Sequence, residues 1–206
     1  MPYLAELFQS AQNSQDYTKG YIARLTTLLQ QLDHDKIARI IHVFENARDE
    51  ARTIFFLANG GSAAVASHWV NDLVAGAWRK GQKNFRAFCL TDNQASVTAI
   101  ANDVGYEHIF TVQLEGALQP HDVVCAFSVS GRSRNVVEGL RFARERGAHT
   151  IGVCGFDDSV MREYCDVLLH IPATSDEYGP VEDIFGILDH LVSGYLTMKS
   201  GKWLYH

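Results

Sequence analysis

Five short apolar segments alternate with helical patterns along most of this chain, and this alternation restricts its fold more than any other feature. The segments lie at residues 53–58, 85–90, 122–127, 149–154 and 166–171. Short apolar segments of this kind are typical of strands buried on both faces of a parallel sheet. Right-handed crossovers then bring the carboxyl ends of the strands to one edge, where ligands bind in such folds. The pattern predicts an α/β fold with helices on both faces of a parallel sheet.

Residues 3 to about 50 have a helical pattern without a strand signal. Their apolar residues recur at helical spacing in two sets: Leu25, Leu28, Leu29 and Leu32, then Ile37, Ile40, Ile41 and Phe44. A helical pair with two apolar stripes cannot bury both against one sheet, so it either lies across the domain or forms an oligomer interface. We favour the interface. We divide the chain into a helical arm at 1–50 and an α/β part at 51–206, together treated as one domain.

The overall charge and the cysteine pattern narrow the class of protein. The formal net charge is −6 and the sequence has no basic cluster, which argues against a nucleic-acid-binding surface. The apolar runs are far too short to span a membrane, and the first residues lack the pattern of a signal peptide. The four cysteines are scattered without a C-x-x-C pair. We expect a cytoplasmic protein whose thiols are reduced and structural.

Two glycine-containing loops each follow an apolar segment and open a helical pattern. The first glycine loop is Asn59-Gly60-Gly61-Ser62, and the serine loop runs from Ser128 to Ser133. Glycine lets the backbone approach an anion closely, and the free N–H groups of a first helical turn point at that anion. One such loop is often only a tight turn. Two serine-bearing loops together predict a small phosphorylated ligand held between adjacent strands and helices.

Side chains suited to acid–base chemistry or metal binding follow these loops. His68 and Asp72 are four residues apart in a helical pattern and therefore share a face. The last helix, predicted from about Val181 to Lys199, has a predicted polar arc formed by Glu182, Asp183, Asp189 and His190. Its predicted apolar arc is formed by Ile184, Ile187, Leu188, Leu191, Val192 and Tyr195. A His/Asp pair at this spacing is also common as a surface pair worth about 0.3–0.5 kcal/mol, and the polar arc is equally well a solvent face.

Taken in order, these motifs resemble the sugar isomerase (SIS) domain of the phosphoheptose isomerase family. The resemblance is carried by the first glycine loop with His68 and Asp72, by Leu90-Thr91-Asp92-Asn93 leading into 98–106, by the serine loop and by His190. It extends over essentially the whole chain. It implies a three-layer fold in which helices flank a five-stranded parallel sheet, with an N-terminal helical arm, assembled as a homotetramer.

The same resemblance implies an enzyme that converts sedoheptulose 7-phosphate to D-glycero-D-manno-heptose 7-phosphate. Asp72 then matches the catalytic base and His190 the acid. The implied substrate-binding residues are Asn59, Gly60, Gly61, Ser62, Asp92, Ser128, Ser130, Ser133 and Glu182. Some members carry zinc, and the corresponding ligand positions here are His68, Asp72, Glu182 and His190. No nucleotide cofactor is expected.

The residue types agree with that chemistry on physical grounds. Aldose–ketose isomerisation moves a proton between C1 and C2 through an enediol, which requires a carboxylate base and a partner that protonates or polarises the oxygen. A carboxylate buried beside apolar neighbours such as Trp69 has a raised pKa, closer to the working pH. The chain also differs from the family pattern at several positions; among them, Asp72 replaces a glutamate and Glu182 replaces a glutamine.

Two other functions share this fold. One is a SIS-domain protein that binds a phosphosugar without turnover, and the other binds a protein partner such as the replication initiator DnaA. Relatives of the second kind tend to lack both the carboxylate and the last histidine. Because this chain has both Asp72 and His190, the enzyme is the favoured interpretation.

Overall fold

A computed structural model describes residues 2–157 and 159–202. In this part of the chain five strands form one parallel sheet: β1 (Thr53–Leu57), β2 (Arg86–Cys89), β3 (Val123–Ser128), β4 (His149–Cys154) and β5 (Val167–His170). Their order in the sheet is β2-β1-β3-β4-β5. Each strand begins and ends within one residue of the predicted segment, so the five-stranded parallel sheet is confirmed.

Helices surround this sheet. They are α1 (Tyr3–Ser10), α2 (Ser14–Gln30), α3 (His34–Asp49), α4 (Gly60–Asn71), α5 (Gln94–Asp103), α6 (Thr111–Ala117), α7 (Arg134–Glu145) and α8 (Tyr178–Lys199). A π-helical turn, Asp72–Gly76, continues α4. Short 3₁₀ turns lie at Tyr106–His108 and Val160–Tyr164. Within the described residues, no helix has both the length and the apolarity that crossing a bilayer requires.

The hydrophobic core has one layer on each face of the sheet, because the apolar strands project side chains in both directions. The layer beneath α3, α4 and α8 contains Phe44, Phe56, Trp69, Phe127 and Phe185. The layer beneath α6 and α7 contains Leu57, Phe110, Leu114 and Leu140. Helices α4 and α7 thus lie on opposite faces although they follow the neighbouring strands β1 and β3. This reversal of direction opens a crevice at the carboxyl edge of the sheet.

The N-terminal segment forms three helices rather than the predicted pair. Helix α3 buries Ile37, Ile40 and Phe44 against the sheet, whereas α2 buries only Leu28 and α1 buries none of its residues. The apolar stripe of α3 therefore belongs to the core. The division at residue 50 stays a prediction, and residues 203–206 of the second part lie outside the described residues.

Helix α2 is fastened to the segment that leads into α8. Arg24 donates from Nε and Nη2 to the two carboxylate oxygens of Glu177, at 2.6 and 2.8 Å, and Glu177 is completely buried. The Tyr21 hydroxyl donates to the Asp183 carboxylate at 2.6 Å. These contacts fix where α8 begins, and α8 carries part of the candidate site.

Candidate active site

The first glycine loop lies at the carboxyl end of β1, and α4 begins within it at Gly60. Asn59 and Asn135 exchange two side-chain hydrogen bonds of 2.9 and 2.8 Å. Oδ1 of Asn59 also accepts a hydrogen bond of 2.9 Å from the hydroxyl of Tyr106. Because Asn135 belongs to α7, this amide pair links the first glycine loop to the helix that follows β3.

The serine loop lies beside it, at the carboxyl end of β3. Gly131 has a φ of +64°, in the left-handed region that glycine adopts at no steric cost. Its N–H donates to Oγ of Ser128 at 3.1 Å, and the hydroxyls of Ser128 and Ser133 lie 3.2 Å apart. Ser130 Oγ accepts from the N–H of Arg132 at 3.3 Å. Hydroxyls thus converge at the start of α7, where helical N–H groups favour an anion.

The first glycine loop already holds an anionic side chain. The Ser62 hydroxyl donates to Oε1 of Glu182 at 2.9 Å. Gly61 allows this approach, because a Cβ at that position would lie 2.5 Å from Oε2 of Glu182. The N-terminus of α4 stabilises the negative charge of Glu182. That charge repels a phosphate at the first glycine loop, so the serine loop is better suited to bind phosphate than the first glycine loop is.

A cluster of four ionisable side chains lies between α4 and α8, about two to three helical turns beyond the first glycine loop. It consists of His68, Asp72, Asp189 and His190, whose ligand atoms all lie within 4.8 Å of one another. Nε2 of His68 is 3.6 Å from Oδ1 of Asp72, and Nε2 of His190 is 4.0 Å from Oδ2 of Asp72. The indole of Trp69 donates to the carbonyl oxygen of Phe185 at 3.1 Å, which sets the position of α4 against α8.

Asp189 is the member of this cluster that sequence reasoning missed as a site residue. Its side chain is completely buried, and neither carboxylate oxygen has a hydrogen-bond partner among the described residues. Burial, and then the neighbouring charge of Asp72, raises the pKa of Asp189 to about 7. The nearby Ser193 hydroxyl lowers the pKa of Asp189 and so offsets part of this rise. It does not form a hydrogen bond of normal length and angle with either carboxylate oxygen.

The predicted arcs of α8 were wrong in part. Asp189 was placed on the polar arc but is buried, while Ile187, Leu191 and Tyr195 of the predicted apolar arc are between 37% and 46% exposed. The reason is that α8 is apolar on two sides, and its packing against α4 and the sheet selects only one of them. Asp189 is four residues after Phe185, which is buried, so the two lie on the same face of α8. Glu182, three residues before Phe185, has a similar spacing, so the sequence contains no signal that singles out Asp189.

The structure brings three of the four predicted metal positions together, namely His68, Asp72 and His190. Glu182 is not in that cluster and lies at the first glycine loop. Asp92, at the end of β2, accepts a hydrogen bond from the hydroxyl of Ser67, the residue before His68. The raised pKa that the sequence predicts for a carboxylate buried beside apolar neighbours is found, among the described residues, at Asp189.

Comparisons with known proteins agree with this geometry. The family model for the SIS domain matches residues 16–155, so the fold and the loops are those of a SIS-domain protein. A probable phosphoheptose isomerase from Thermoplasma acidophilum is 33% identical over 88% of this chain and 98% of its own length. The phosphoheptose isomerase of Geotalea daltonii is 39% identical over 66% of this chain and 71% of its own length. The chain belongs to the phosphoheptose isomerase family.

Solved structures support the fold alone, since their sequence identity is low. The phosphoheptose isomerase of Neisseria gonorrhoeae superposes with a TM-score of 0.82 at 24% identity, over 90% of this chain and 100% of that one. The enzyme from Francisella tularensis gives 0.80 at 19% identity, over 89% and 96%. The predicted family and three-layer architecture are confirmed.

Proposed function

We propose that this protein isomerises sedoheptulose 7-phosphate to D-glycero-D-manno-heptose 7-phosphate. The observation that carries the proposal is the pairing of Asp72 and His190, whose Oδ2 and Nε2 atoms are 4.0 Å apart between α4 and α8. The names of the relatives support the substrate and the reaction. Asp72 removes a proton from C1 of the ketose, and the resulting enediol is protonated at C2 to give the aldose.

The phosphate is assigned to the serine loop. Ser128, Ser130 and Ser133 contribute hydroxyls there, and the start of α7, a helix of 12 residues, contributes N–H groups. The first glycine loop suits the sugar instead, because the carboxylate of Glu182 and the amide of Asn59 accept hydrogen bonds from hydroxyl groups. Gly60, Gly61 and Ser62 then shape the wall of that site. Binding the phosphate away from the reacting carbons positions C1 and C2 at Asp72.

His190 is proposed as the acid. Its side chain is 65% exposed, so its ring reaches a substrate in the crevice, while the Asp72 side chain is 23% exposed and is flanked by both imidazoles. An imidazole exchanges protons near neutral pH. It thus protonates or polarises the oxygen on which charge develops as Asp72 takes the carbon-bound proton.

We further propose that the cluster holds zinc. Imidazole and carboxylate groups are ligands of zinc in proteins. The carboxylate oxygens of Asp189 are buried without a hydrogen-bond partner among the described residues, and a cation would stabilise them. His68, Asp72 and His190, which the resemblance and the geometry share, would hold the ion. A bound divalent cation would supply Lewis-acid polarisation of the substrate's carbonyl oxygen. His190 is therefore the acid in the metal-free protein and a ligand when the ion is bound, because a ring nitrogen that ligates the ion has no proton to donate.

The homotetramer and the cytoplasmic location are also proposals. Ile187, Leu191, Tyr195 and Met198 form an exposed apolar stripe along α8, spaced at one helical turn. Such a stripe on a folded protein favours contact with another subunit, and His190 lies directly beside it. The four thiols are free, which is typical of a protein from a reducing compartment.

The test is product formation in D₂O followed by NMR. Sedoheptulose 7-phosphate should be converted to an aldose that carries deuterium at C2, because the enediol is reprotonated from an exchanging group. We expect Asp72→Asn and His190→Ala each to lower kcat by at least about 100-fold, the lower range for general acid–base groups.

Two variants on the exposed start of α3, His34→Ala and Asp35→Asn, are matched controls and should keep full activity. Full activity in both site variants would refute the assigned roles. Stabilisation by the sugar phosphate without any product would favour the phosphosugar-binding alternative instead.

A further inference from the structure

We propose that Asp189 is the fourth ligand of the metal site, and that Glu182 is not a ligand. This inference rests on the metal binding proposed above and goes beyond it, because it assigns a residue outside the set of His68, Asp72, Glu182 and His190. Four side chains from two helices would then surround one ion.

The first argument is the unsatisfied carboxylate of Asp189. The group is completely buried, and both oxygens lack a hydrogen-bond partner among residues 2–157 and 159–202. Buried polar groups in proteins are almost always hydrogen-bonded, and an exception requires an explanation such as an ion. A buried carboxylate without donors is stable when a cation lies against it.

The second argument is the balance of charge in the cluster. Two carboxyl groups, those of Asp72 and Asp189, face two imidazoles, and the cluster contains no lysine or arginine. Among the described residues, the ion-pair partner within 4.0 Å of Asp189 is His68, whose Nδ1 is 4.0 Å from Oδ2 of Asp189. A divalent cation neutralises this cluster.

The third argument is the number and position of the donors. One atom from each of the four residues lies within 4.8 Å of the other three. Zinc takes four ligands in a tetrahedron with bonds of about 2.0–2.2 Å to nitrogen and oxygen. The four residues thus offer the number of ligands that one zinc ion takes.

Glu182 has a different set of contacts. Its carboxylate accepts the Ser62 hydroxyl at 2.9 Å and lies against Gly61 at the N-terminus of α4. It is seven residues, or roughly 10 Å along α8, from Asp189. The hydrogen bond and the helix N-terminus stabilise its charge, so it has no need of a metal ion.

The experiment compares two carboxylate-to-amide variants of the same helix. Zinc is removed from the full chain by dialysis against a chelator, and Zn²⁺ affinity is then measured by competition with a chromophoric chelator. For Asp189→Asn we expect a loss that exceeds the 10- to 100-fold typical of residues that only orient a ligand. For the matched control, Glu182→Gln, we expect a change of less than about threefold, since it keeps every protein ligand. Circular dichroism confirms that both variants are folded.

A spectroscopic measurement separates a ligand from a residue that acts through packing. Co²⁺ replaces zinc, and the intensity and position of its visible absorption bands depend on the number and type of ligands. Asp189→Asn should change the Co²⁺ spectrum, whereas Glu182→Gln should leave it unaltered. An unchanged spectrum in Asp189→Asn would overturn the assignment.

The remaining outcomes are also decisive. Weak zinc binding in Glu182→Gln with full affinity in Asp189→Asn would reverse the two roles. A wild-type protein that binds neither Zn²⁺ nor Co²⁺ would overturn the inference together with the proposed metal. Product formation from sedoheptulose 7-phosphate is measured separately, so an isomerase that fails the metal test is distinguished from a protein that is no isomerase.

Discussion

Removal of Arg24 from its contact with Glu177 should destabilise the protein far more than the loss of an exposed ion pair of the same geometry. Glu177 is completely buried and accepts hydrogen bonds from Arg24 Nε and Nη2 at 2.6 and 2.8 Å, and from the backbone N–H of Thr174 at 2.6 Å. Arg24→Met keeps most of the aliphatic side chain but leaves the Glu177 carboxylate buried without its counter-ion. Breaking a buried pair in this way costs about 3–5 kcal/mol.

The chain supplies its own control for this prediction. Arg141 donates to Glu138 and Glu145 at 2.6 and 2.9 Å, distances close to those of the buried pair, but these side chains on α7 are between 30% and 58% exposed. Arg141→Met should cost less than about 1 kcal/mol. Because the distances match, most of the difference between the two variants is due to burial, with a smaller part from the contacts of Arg24 with the Pro172 carbonyl and the Tyr3 ring.

Urea unfolding at pH 7, followed by circular dichroism, gives the free energy of unfolding of both variants. Natural proteins have only about 5–15 kcal/mol in total, so Arg24→Met should also lower Tm by roughly 6–20 °C. Equal losses in Arg24→Met and Arg141→Met would refute the reasoning. In that case water would have to reach Glu177, and its burial would not describe the protein in solution.

Three further results are expected. Gly131→Ala should raise KM for the sugar phosphate at least about tenfold, with a smaller effect on kcat. Alanine is strained at the Gly131 φ of +64°, and its Cβ would lie 2.0 Å from Ser159 Oγ, so the serine loop has to change shape. The control Gly116→Ala, with open space around its Cβ, should leave KM unchanged. Leu191→Glu should reduce the mass measured by light scattering to that of a smaller species, and an unchanged mass would exclude the α8 stripe from the subunit interface. Burial opposes ionisation of Glu177, but hydrogen bonds from Arg24 and Thr174 outweigh it and hold its pKa below the usual value near 4.5. The stability that Glu177 contributes is therefore present above pH 4.5 and lost as the pH falls through the lower folded pKa; urea midpoints across that range should fall less steeply in Glu177→Gln than in the wild type.

Most of the sheet could be predicted from the sequence, for a physical reason. A strand buried on both faces has to be apolar throughout, so β1 and β3 appear as uninterrupted apolar runs whose ends are visible. Glycine and serine mark the loops that follow them. The strand order is seen only in the structure, where the pairing of β1 with β3 brings the two loops together.

The candidate site could be predicted only in part. The His68–Asp72 spacing shows a shared helical face, but the position of His190 beside it depends on how α8 packs across α4. Glu182 and Asp189 are both acidic and two turns apart, so the sequence cannot tell which of them is buried. Their depth is decided by contacts such as the hydrogen bond from Trp69 to the carbonyl of Phe185, which joins residues 116 positions apart.

The long separation of these contacts has a consequence for how the protein is made. The Ser62–Glu182 and Arg24–Glu177 hydrogen bonds join residues 120 and 153 positions apart. Non-local contacts of this kind form late and slow the folding of a chain. A ribosome releases β1, α4 and the whole sheet before α8, so the nascent chain has to keep Phe127 and Trp69 covered without their partner Phe185. The protein can acquire its four-residue cluster only after α8 has been synthesised, and until then the aromatic surface that Phe185 will cover favours aggregation or chaperone binding.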